Sequence, residues 1–193
     1  MNRSLITALG LSLTFAAVPT SGAAQDGWTT LFDGSGLDGW EVLGDANWTL
    51  GDGAVSATSG SGFLVSERSY GDFELTLDFW VDEPANSGVF IRCAEPQNVT
   101  DRNCYEVNIY DTRADQTYRT GGIVHLAAPS SVINSGGQWN SYQITARGSR
   151  LVVVLNGTQT VDTRDDQFAQ GPFALQYGAG IVGFRNVRIR SLD

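Results

Sequence analysis

Short runs in which apolar and polar residues alternate recur along most of the chain. The clearest run covers residues 72–82, where apolar side chains occupy every second position from Phe73 to Val81. This period of two predicts a β-strand with one buried face and one solvated face. No segment carries a convincing amphipathic-helix period, so the pattern predicts an all-β protein.

Further strands are predicted between turn-forming residues. They cover residues 28–32, 40–43, 48–50, 54–57, 63–66, 122–126, 140–147, 151–155, 159–162, 172–177 and 181–190. Asn156-Gly157 predicts a tight hairpin because both residues tolerate positive φ. The apolar alternation slips between Phe184 and Val187, which predicts a bulge. Roughly thirteen strands favour two packed antiparallel sheets of jelly-roll type.

The two runs at residues 86–92 and 105–111 hold the best candidate chemistry. With a period of two, the side chains of Val89, Ile91, Val107 and Ile109 share the core side. The opposite face carries Phe90, Arg92, Glu106, Asn108 and Tyr110. A cation, a carboxylate and an amide therefore share one surface, which we take as the floor of a candidate pocket.

Composition agrees with a β-sandwich and narrows the possible partners. The chain has 23 glycines and 5 prolines, as expected for short strands joined by many turns. Its formal net charge is −9, and lysine is absent. Binding to a phosphate backbone requires a basic surface, so we expect no nucleic-acid partner.

The first 24 residues are typical of a secretory signal peptide. Arg3 precedes an apolar run from Leu5 to Val18, and small residues follow at Gly22 and Ala24, before Gln25. The run is short for a transmembrane helix, and no cysteine lies near the cleavage point to receive a lipid. We expect export to the periplasm or the medium, no membrane span after cleavage, and one domain over residues 25–193.

The two cysteines favour a disulfide in an exported chain. A Cys93–Cys104 bond closes a loop of about 12 residues, which stabilises the fold by roughly 3 kcal/mol. If the first strand ends at Arg92, Cys93 belongs to the loop, and Arg92 and Glu106 can still lie on the same outer face of the sheet. A zinc site is a poor alternative because His125 is the only other soft ligand in the sequence.

Several fragments, taken together, resemble the 3-keto-disaccharide hydrolase domain family. They are LFDGSGLDGW, YGDFELTLDF, NSGVFIR, CYEVNIYD, TGGIV, WNSYQITARGSRLVVVLNG and FRNVRIRSL. They follow the order found in the family and cover nearly all of residues 25–193. The resemblance implies a concanavalin A-like jelly roll, usually exported by bacteria, that binds glycosides or cleaves sugars already oxidised at C3.

The chemistry implied by the resemblance requires three kinds of group. A ketone at C3 acidifies the hydrogen on C2, so a base can remove it and the glycosidic oxygen on C1 can leave. Such a site needs a general base, a group that stabilises the enolate oxygen, and a donor for the leaving group. By motif position, Glu106 is the acid-base carboxylate and Arg92 is the cation. Asn108 stands where the family often has Gln, which leaves the choice of substrate open.

Other residues complete the candidate site. His125 has an intrinsic pKa suited to acid-base catalysis, although a single His is more often structural. Candidate substrate-binding residues are Asn86, Asp111, Tyr110 and Trp80, the last because it lies on the polar face of its strand. The structural alternatives to these roles are a turn at Asn86, a loop cap at Asp111 and a surface salt bridge between Arg92 and Glu106.

Two further alternatives stay open at this stage. Asp33, Asp38, Asp45 and Asp52 all stand beside glycines, so a structural Ca²⁺ site competes with ordinary turn chemistry. We otherwise expect no cofactor. The same sandwich surface could also serve a non-catalytic carbohydrate-binding module, whose ligand would still be a glycoside or oligosaccharide.

Overall fold

The computed structural model describes residues 27–192, and this part of the chain forms thirteen strands. They are β1 (Trp28–Phe32), β2 (Trp40–Gly44), β3 (Thr49–Gly51), β4 (Ala54–Ala57), β5 (Gly62–Ser66), β6 (Phe73–Val81), β7 (Ser87–Ile91), β8 (Tyr105–Ile109), β9 (Gln138–Arg147), β10 (Arg150–Leu155), β11 (Thr158–Arg164), β12 (Ala174–Tyr177) and β13 (Val182–Ser191). A short 3-10 helix covers Gln116–Tyr118. The predicted signal peptide lies outside the described residues.

Within residues 27–192, the strands form two antiparallel sheets. The eight-stranded sheet has the order β11-β10-β9-β6-β13-β4-β3, with β1 also paired to β13. The five-stranded sheet has the order β2-β5-β12-β7-β8. Every strand pair is antiparallel, which confirms the predicted all-β sandwich. In the same range, no helix is long and apolar enough to cross a membrane.

The core lies between the two sheets and follows from the alternation in the sequence. On β6, the inward side chains from Phe73 to Val81 are each at most 2% exposed, and the intervening ones are partly exposed. Val89 and Ile91 on β7 meet the same core from the other sheet. Full burial of each such side chain stabilises the fold by about 1.5–3 kcal/mol, so the alternation fixes which face of each strand turns inward.

Two predicted backbone features are confirmed. Asn156 and Gly157 both have positive φ, 51° and 80°, and join β10 to β11. The register of β13 against β6 shifts between Arg185 and Arg188, where Asn186 has a φ of 54°. The extra residue places Phe184, Val187 and Ile189 together in the core, which accounts for the slip in the sequence pattern.

The predicted strand at residues 122–126 is wrong. The segment turns back on itself, because the amides of Leu126 and Ala127 donate to the carbonyl of Ile123 and the amide of Ile123 donates to that of Ala127. Positive φ at His125 (64°) is incompatible with a continuous strand. The segment instead borders β8, where Val124 N donates to the carbonyl of Glu106.

The segment between Cys93 and Cys104 folds back onto the outer face of the five-stranded sheet. The two cysteines form a disulfide with a Cα–Cα distance of 4.2 Å, as predicted. Val99 from this loop packs with Val65, Phe90 and Ala174 in a second apolar cluster outside the main core. Gln97 Nε2 donates to Glu41 Oε2 at 2.8 Å, which ties the loop to β2. We call residues 94–103 the disulfide loop.

Candidate functional site

Glu106 and Asn108 lie on the outer face of β8, as the alternation predicts. Val107 and Ile109 point into the core from the same strand and are at most 1% exposed. Across the β7–β8 pair, Glu106 stands opposite Phe90 and Asn108 opposite Gly88. The carboxylate and the amide therefore lie two residues apart on one face, beside the disulfide loop.

The Glu106 carboxyl has an unusual environment for an acidic side chain. Glu106 is 7% exposed, and within residues 27–192 its carboxyl takes part in no hydrogen bond or ion pair. Burial, with a further contribution from the negative charge of Asp101, raises its pKa from 4.5 to about 7. The guanidinium of Arg113 acts in the opposite direction. A carboxyl of this pKa can accept or release a proton near neutral pH.

Gly88 leaves the space that the Glu106 side chain occupies. A Cβ on Gly88 would lie 3.3 Å from Glu106 Oε1 and 3.2 Å from the ring of Phe90. Both contacts are tight, so a side chain at position 88 would press directly on the carboxyl. The Glu106 side chain therefore favours glycine at position 88 of the NSGVFIR fragment, a steric preference that the sequence pattern alone does not reveal.

Asn108 is completely buried and only partly satisfied. Its Nδ2 donates to the carbonyl of Tyr118, whereas its Oδ1 is buried and has no hydrogen-bond partner in the described part of the chain. An unpaired buried acceptor costs about 1–3 kcal/mol. A donor supplied by a bound molecule or a water would remove that cost.

His125 and Asp101 form a pair at the edge of this site. His125 Nε2 lies 2.8 Å from Asp101 Oδ2, and the ring of Tyr118 packs edge-on against the imidazole at 5.9 Å between centroids. The pair lines a cavity of about 140 Å³ between the disulfide loop and the segment after β8. Because Asp101 also influences the pKa of Glu106, the imidazole and the Glu106 carboxyl share this neighbour. The left-handed backbone of His125 is uncommon for a non-glycine residue.

Arg92 occupies a different place from the one predicted. Its φ of 52° breaks the alternation at the end of β7, and the side chain is 1% exposed. The guanidinium donates to the carbonyls of Gly71, Gly148 and Phe168 and pairs with Asp72 at 3.0 Å. It makes no ion pair with Glu106, and we leave it out of the site because its donors join loops at one end of the sandwich.

The cation that does influence Glu106 is Arg113, which the strand pattern missed. It lies in the loop after β8, beyond any alternating run, and its guanidinium acts on the carboxyl through space. Asp101 was missed for the same reason. A disulfide between the ends of β7 and β8 does imply that the intervening loop folds over those strands, and that was the one available signal for Asp101.

Asp111 and Tyr110 follow β8 but are not arranged alike. Asp111 accepts hydrogen bonds from Thr120 Oγ1, from the amides of Ser135 and Gly136, and from Ser135 Oγ, so its oxygens hold three segments together. That pattern fits the loop-cap alternative. Tyr110 is partly exposed, and its amide donates to Thr120 Oγ1 at 2.8 Å.

Asn86 and Trp80 lie away from Glu106. Asn86 precedes β7, exchanges backbone hydrogen bonds with Ala179, and lies against Gly178. Trp80 belongs to β6 in the other sheet and faces outward there, beside Trp139. It lines a separate cavity of about 540 Å³ together with Asp111 and Asn134. The structure therefore does not bring Trp80 together with Glu106.

The aspartates considered for calcium have turn roles where their contacts are given. Asp33 Oδ1 accepts from the amide and hydroxyl of Ser35, and Asp45 Oδ1 accepts from the amide of Ser61. No group of three His, Cys, Asp or Glu side chains between residues 27 and 192 is arranged to hold a metal ion. The calcium hypothesis gains no support from these contacts.

The fold and this site can be compared with known proteins. The model of the 3-keto-α-glucoside-1,2-lyase-like domain family matches residues 27–190. The chain belongs to this family. The family resemblance inferred from the sequence fragments is thereby confirmed, and it establishes a carbohydrate-related hydrolase or binding module.

One relative carries a related name, and two solved structures share the fold. A 3-keto-disaccharide hydrolase from Bacteroides thetaiotaomicron is 30% identical over 83 residues, covering 36% of this chain and 29% of that protein. This match therefore spans under a third of that relative's length. Among solved structures, a candidate glycosyl hydrolase from Parabacteroides distasonis has a TM-score of 0.78 at 21% identity, covering 86% of this chain and 94% of the other. Carbohydrate-binding module CBM66 from Bacillus subtilis has a TM-score of 0.64 at 20% identity, with coverages of 79% and 96%.

Proposed function

We propose that this protein cleaves the glycosidic bond of sugars carrying a ketone at C3, with Glu106 as the acid-base residue. The observation that carries the proposal is the buried Glu106 carboxyl, whose pKa is raised to about 7. A base is most effective when its pKa lies near the working pH. Family membership and the 3-keto-disaccharide hydrolase relative supply the substrate class.

In the proposed reaction, the Glu106 carboxylate removes the hydrogen on C2, and the electron pair moves toward the C3 ketone to form an enolate. The enolate then expels the glycosidic oxygen from C1, which takes up a proton, and an enone with a C1–C2 double bond remains. Addition of water at C1 and return of a proton to C2 complete a net hydrolysis. If water does not add, the same steps give a lyase.

Three residues are proposed to provide the other groups that this chemistry needs. Arg113 is the proposed cation that offsets negative charge on the enolate. His125, oriented by Asp101 at 2.8 Å, is the proposed donor to the leaving oxygen. Asn108 Oδ1, which lacks a partner within the described residues, is the proposed acceptor for a sugar hydroxyl. Arg92 has a structural role in this scheme.

The test uses a 3-keto-glycoside and its unoxidised parent as substrates. We expect cleavage of the ketone only, because the parent has no acidic hydrogen on C2. Glu106→Gln should abolish turnover while the far-ultraviolet circular dichroism stays unchanged, since the amide is nearly isosteric but cannot accept the proton. Full activity in this variant would remove Glu106 from the mechanism.

A non-catalytic carbohydrate-binding module is the second candidate. It is supported by the low exposure of Glu106 and by a cleft of uncharged residues on the same face of the sheet, described below. Calorimetric binding of an unoxidised glycan, with no product from any 3-keto substrate, would decide in its favour.

We also propose that the protein is exported, as the first 24 residues predict. The Cys93–Cys104 bond supports this, because disulfides persist mainly in oxidising compartments. Detecting the mature protein in the periplasm or the medium, beginning near Gln25, would test it.

A further inference from the structure

A cleft of about 320 Å³ opens on the outer face of the five-stranded sheet, on the far side of the disulfide loop from the His125 cavity. Its floor is formed by Phe63 on β5 and Gln176 on β12, and Gln97, Asn98 and Val99 of the disulfide loop form one wall. All of its lining residues are uncharged, although the chain has a net charge of −9. Such a lining favours a neutral ligand.

Three side-chain amides meet in this cleft and leave hydrogen-bonding capacity unused. Gln97 and Asn98 donate through their nitrogens to Glu41 and Glu95, and their amide oxygens have no partner within residues 27–192. Gln176 Oε1 is buried and likewise unpaired in that range. Amide oxygens accept hydrogen bonds from hydroxyl groups, and an aromatic ring such as Phe63 offers an apolar surface to the face of a sugar ring.

The cleft lies on the same row of outward side chains as Asn108, one row along the strands from Glu106. Gly88 stands opposite Asn108, and continuing the β12–β7 register past the Leu175–Val89 pair places Gln176 beside Gly88. Adjacent strands lie about 4.8 Å apart, so Gln176 on β12 is about 10 Å from Asn108 on β8, two strands away. That distance is longer than one pyranose ring.

From these observations we infer that the Phe63–Gln176 cleft binds a further sugar unit of the glycoside, beyond the ring that meets Glu106. The ligand is a neutral oligosaccharide or an extended glycoside, and Gln176 is its specificity-determining residue. The inference rests on the proposed function for the position of the first ring. The two proposals can be tested separately, because none of the residues that line the cleft has a role in the proposed reaction.

Gln176 permits a test that distinguishes a binding role from a structural one. A structural glutamine stabilises the fold, so its removal lowers stability. A buried acceptor without a partner has the opposite effect. Gln176→Leu should therefore raise the urea midpoint of the free protein and weaken oligosaccharide binding about tenfold, the effect of losing one good hydrogen bond.

The experiment measures calorimetric binding of cellotetraose and maltotetraose to the full chain. Gln143→Leu is the matched control, because Gln143 is an exposed glutamine on the opposite sheet, on β9. We expect wild type and Gln143→Leu to bind one of the two tetrasaccharides equally well, and Gln176→Leu to bind it about tenfold more weakly. Gln176→Asn, which keeps the amide but shortens its reach, should also bind more weakly, and it covers the case in which the leucine variant does not fold.

In the binding experiment, two results would overturn the inference: no binding of either tetrasaccharide, or binding that both Gln176 variants leave unchanged. Binding that follows this pattern, without cleavage of any 3-keto-glycoside, would support the sugar-binding role of the cleft and refute the proposed reaction. Cleavage with a KM for extended substrates that the Gln176 substitutions leave unchanged would support the reaction and refute the sugar-binding role of the cleft.

Discussion

Replacing Glu106 with glutamine should stabilise the protein, and the gain should appear only at neutral and alkaline pH. Burial and the charge of Asp101 raise the pKa of Glu106 from 4.5 to about 7 in the folded protein. The folded state therefore holds a proton that the unfolded chain releases above pH 4.5. By linkage, the wild type loses stability as pH rises from about 4.5 to about 7, and above that range the penalty is complete.

The size of the effect follows from the same values. Each pH unit by which the pKa rises corresponds to about 1.4 kcal/mol, so ionised Glu106 costs the fold roughly 3 kcal/mol. For a domain of this length, that corresponds to a change in Tm of about 6–12 °C. Glu106→Gln removes the titration, so at pH 8 the variant should be more stable than the wild type by up to this amount. At pH 4 the two should be equal.

Urea unfolding followed by tryptophan fluorescence measures this difference, with both proteins oxidised and compared at pH 4, 6 and 8. Glu67→Gln is the control, because Glu67 is an exposed glutamate, and its substitution should change stability by less than about 0.5 kcal/mol at every pH. If the difference between Glu106→Gln and wild type stays constant from pH 4 to pH 8, Glu106 is not an acid held neutral by the fold. The proposed acid-base role of Glu106, which depends on its raised pKa, would then be refuted as well.

Three further predictions concern the neighbours of this site. Arg113→Ala should move the acid limb of the kcat/KM profile to higher pH, because it removes the positive charge that lowers the pKa of Glu106; an unmoved limb would show that this guanidinium does not act on the carboxyl. Arg92→Met should lower the free energy of unfolding by roughly 3 kcal/mol, because buried oxygens lose their donors, and activity loss at unchanged stability would contradict its structural role. The double substitution Cys93→Ser and Cys104→Ser should lower the free energy of unfolding, measured in urea, by roughly 3 kcal/mol. Reduction of the disulfide in the wild type should lower it by a similar amount, and a clearly smaller loss on reduction would contradict a stabilising disulfide.

The sequence by itself determined most of the fold. Alternation determined which face of β6, β7 and β8 is buried, because a single-residue shift would move every apolar side chain to the solvent side. The Asn156-Gly157 hairpin and the β13 bulge were also predictable, since each depends on local backbone preferences. The predicted strand at residues 122–126 failed because contacts with β8 override a short apolar run.

What only the tertiary structure decided is which irregular segments lie near Glu106. Arg92 looked like its partner because alternation was carried one residue too far, past the point where positive φ turns the side chain away. Arg113, Asp101 and His125 come from three irregular segments, whose paths depend on long-range packing rather than on any periodic pattern. The raised pKa of Glu106 has the same origin, because burial and charge are properties of the assembled neighbourhood. The sequence thus located the carboxylate, and folding selected the residues that surround it.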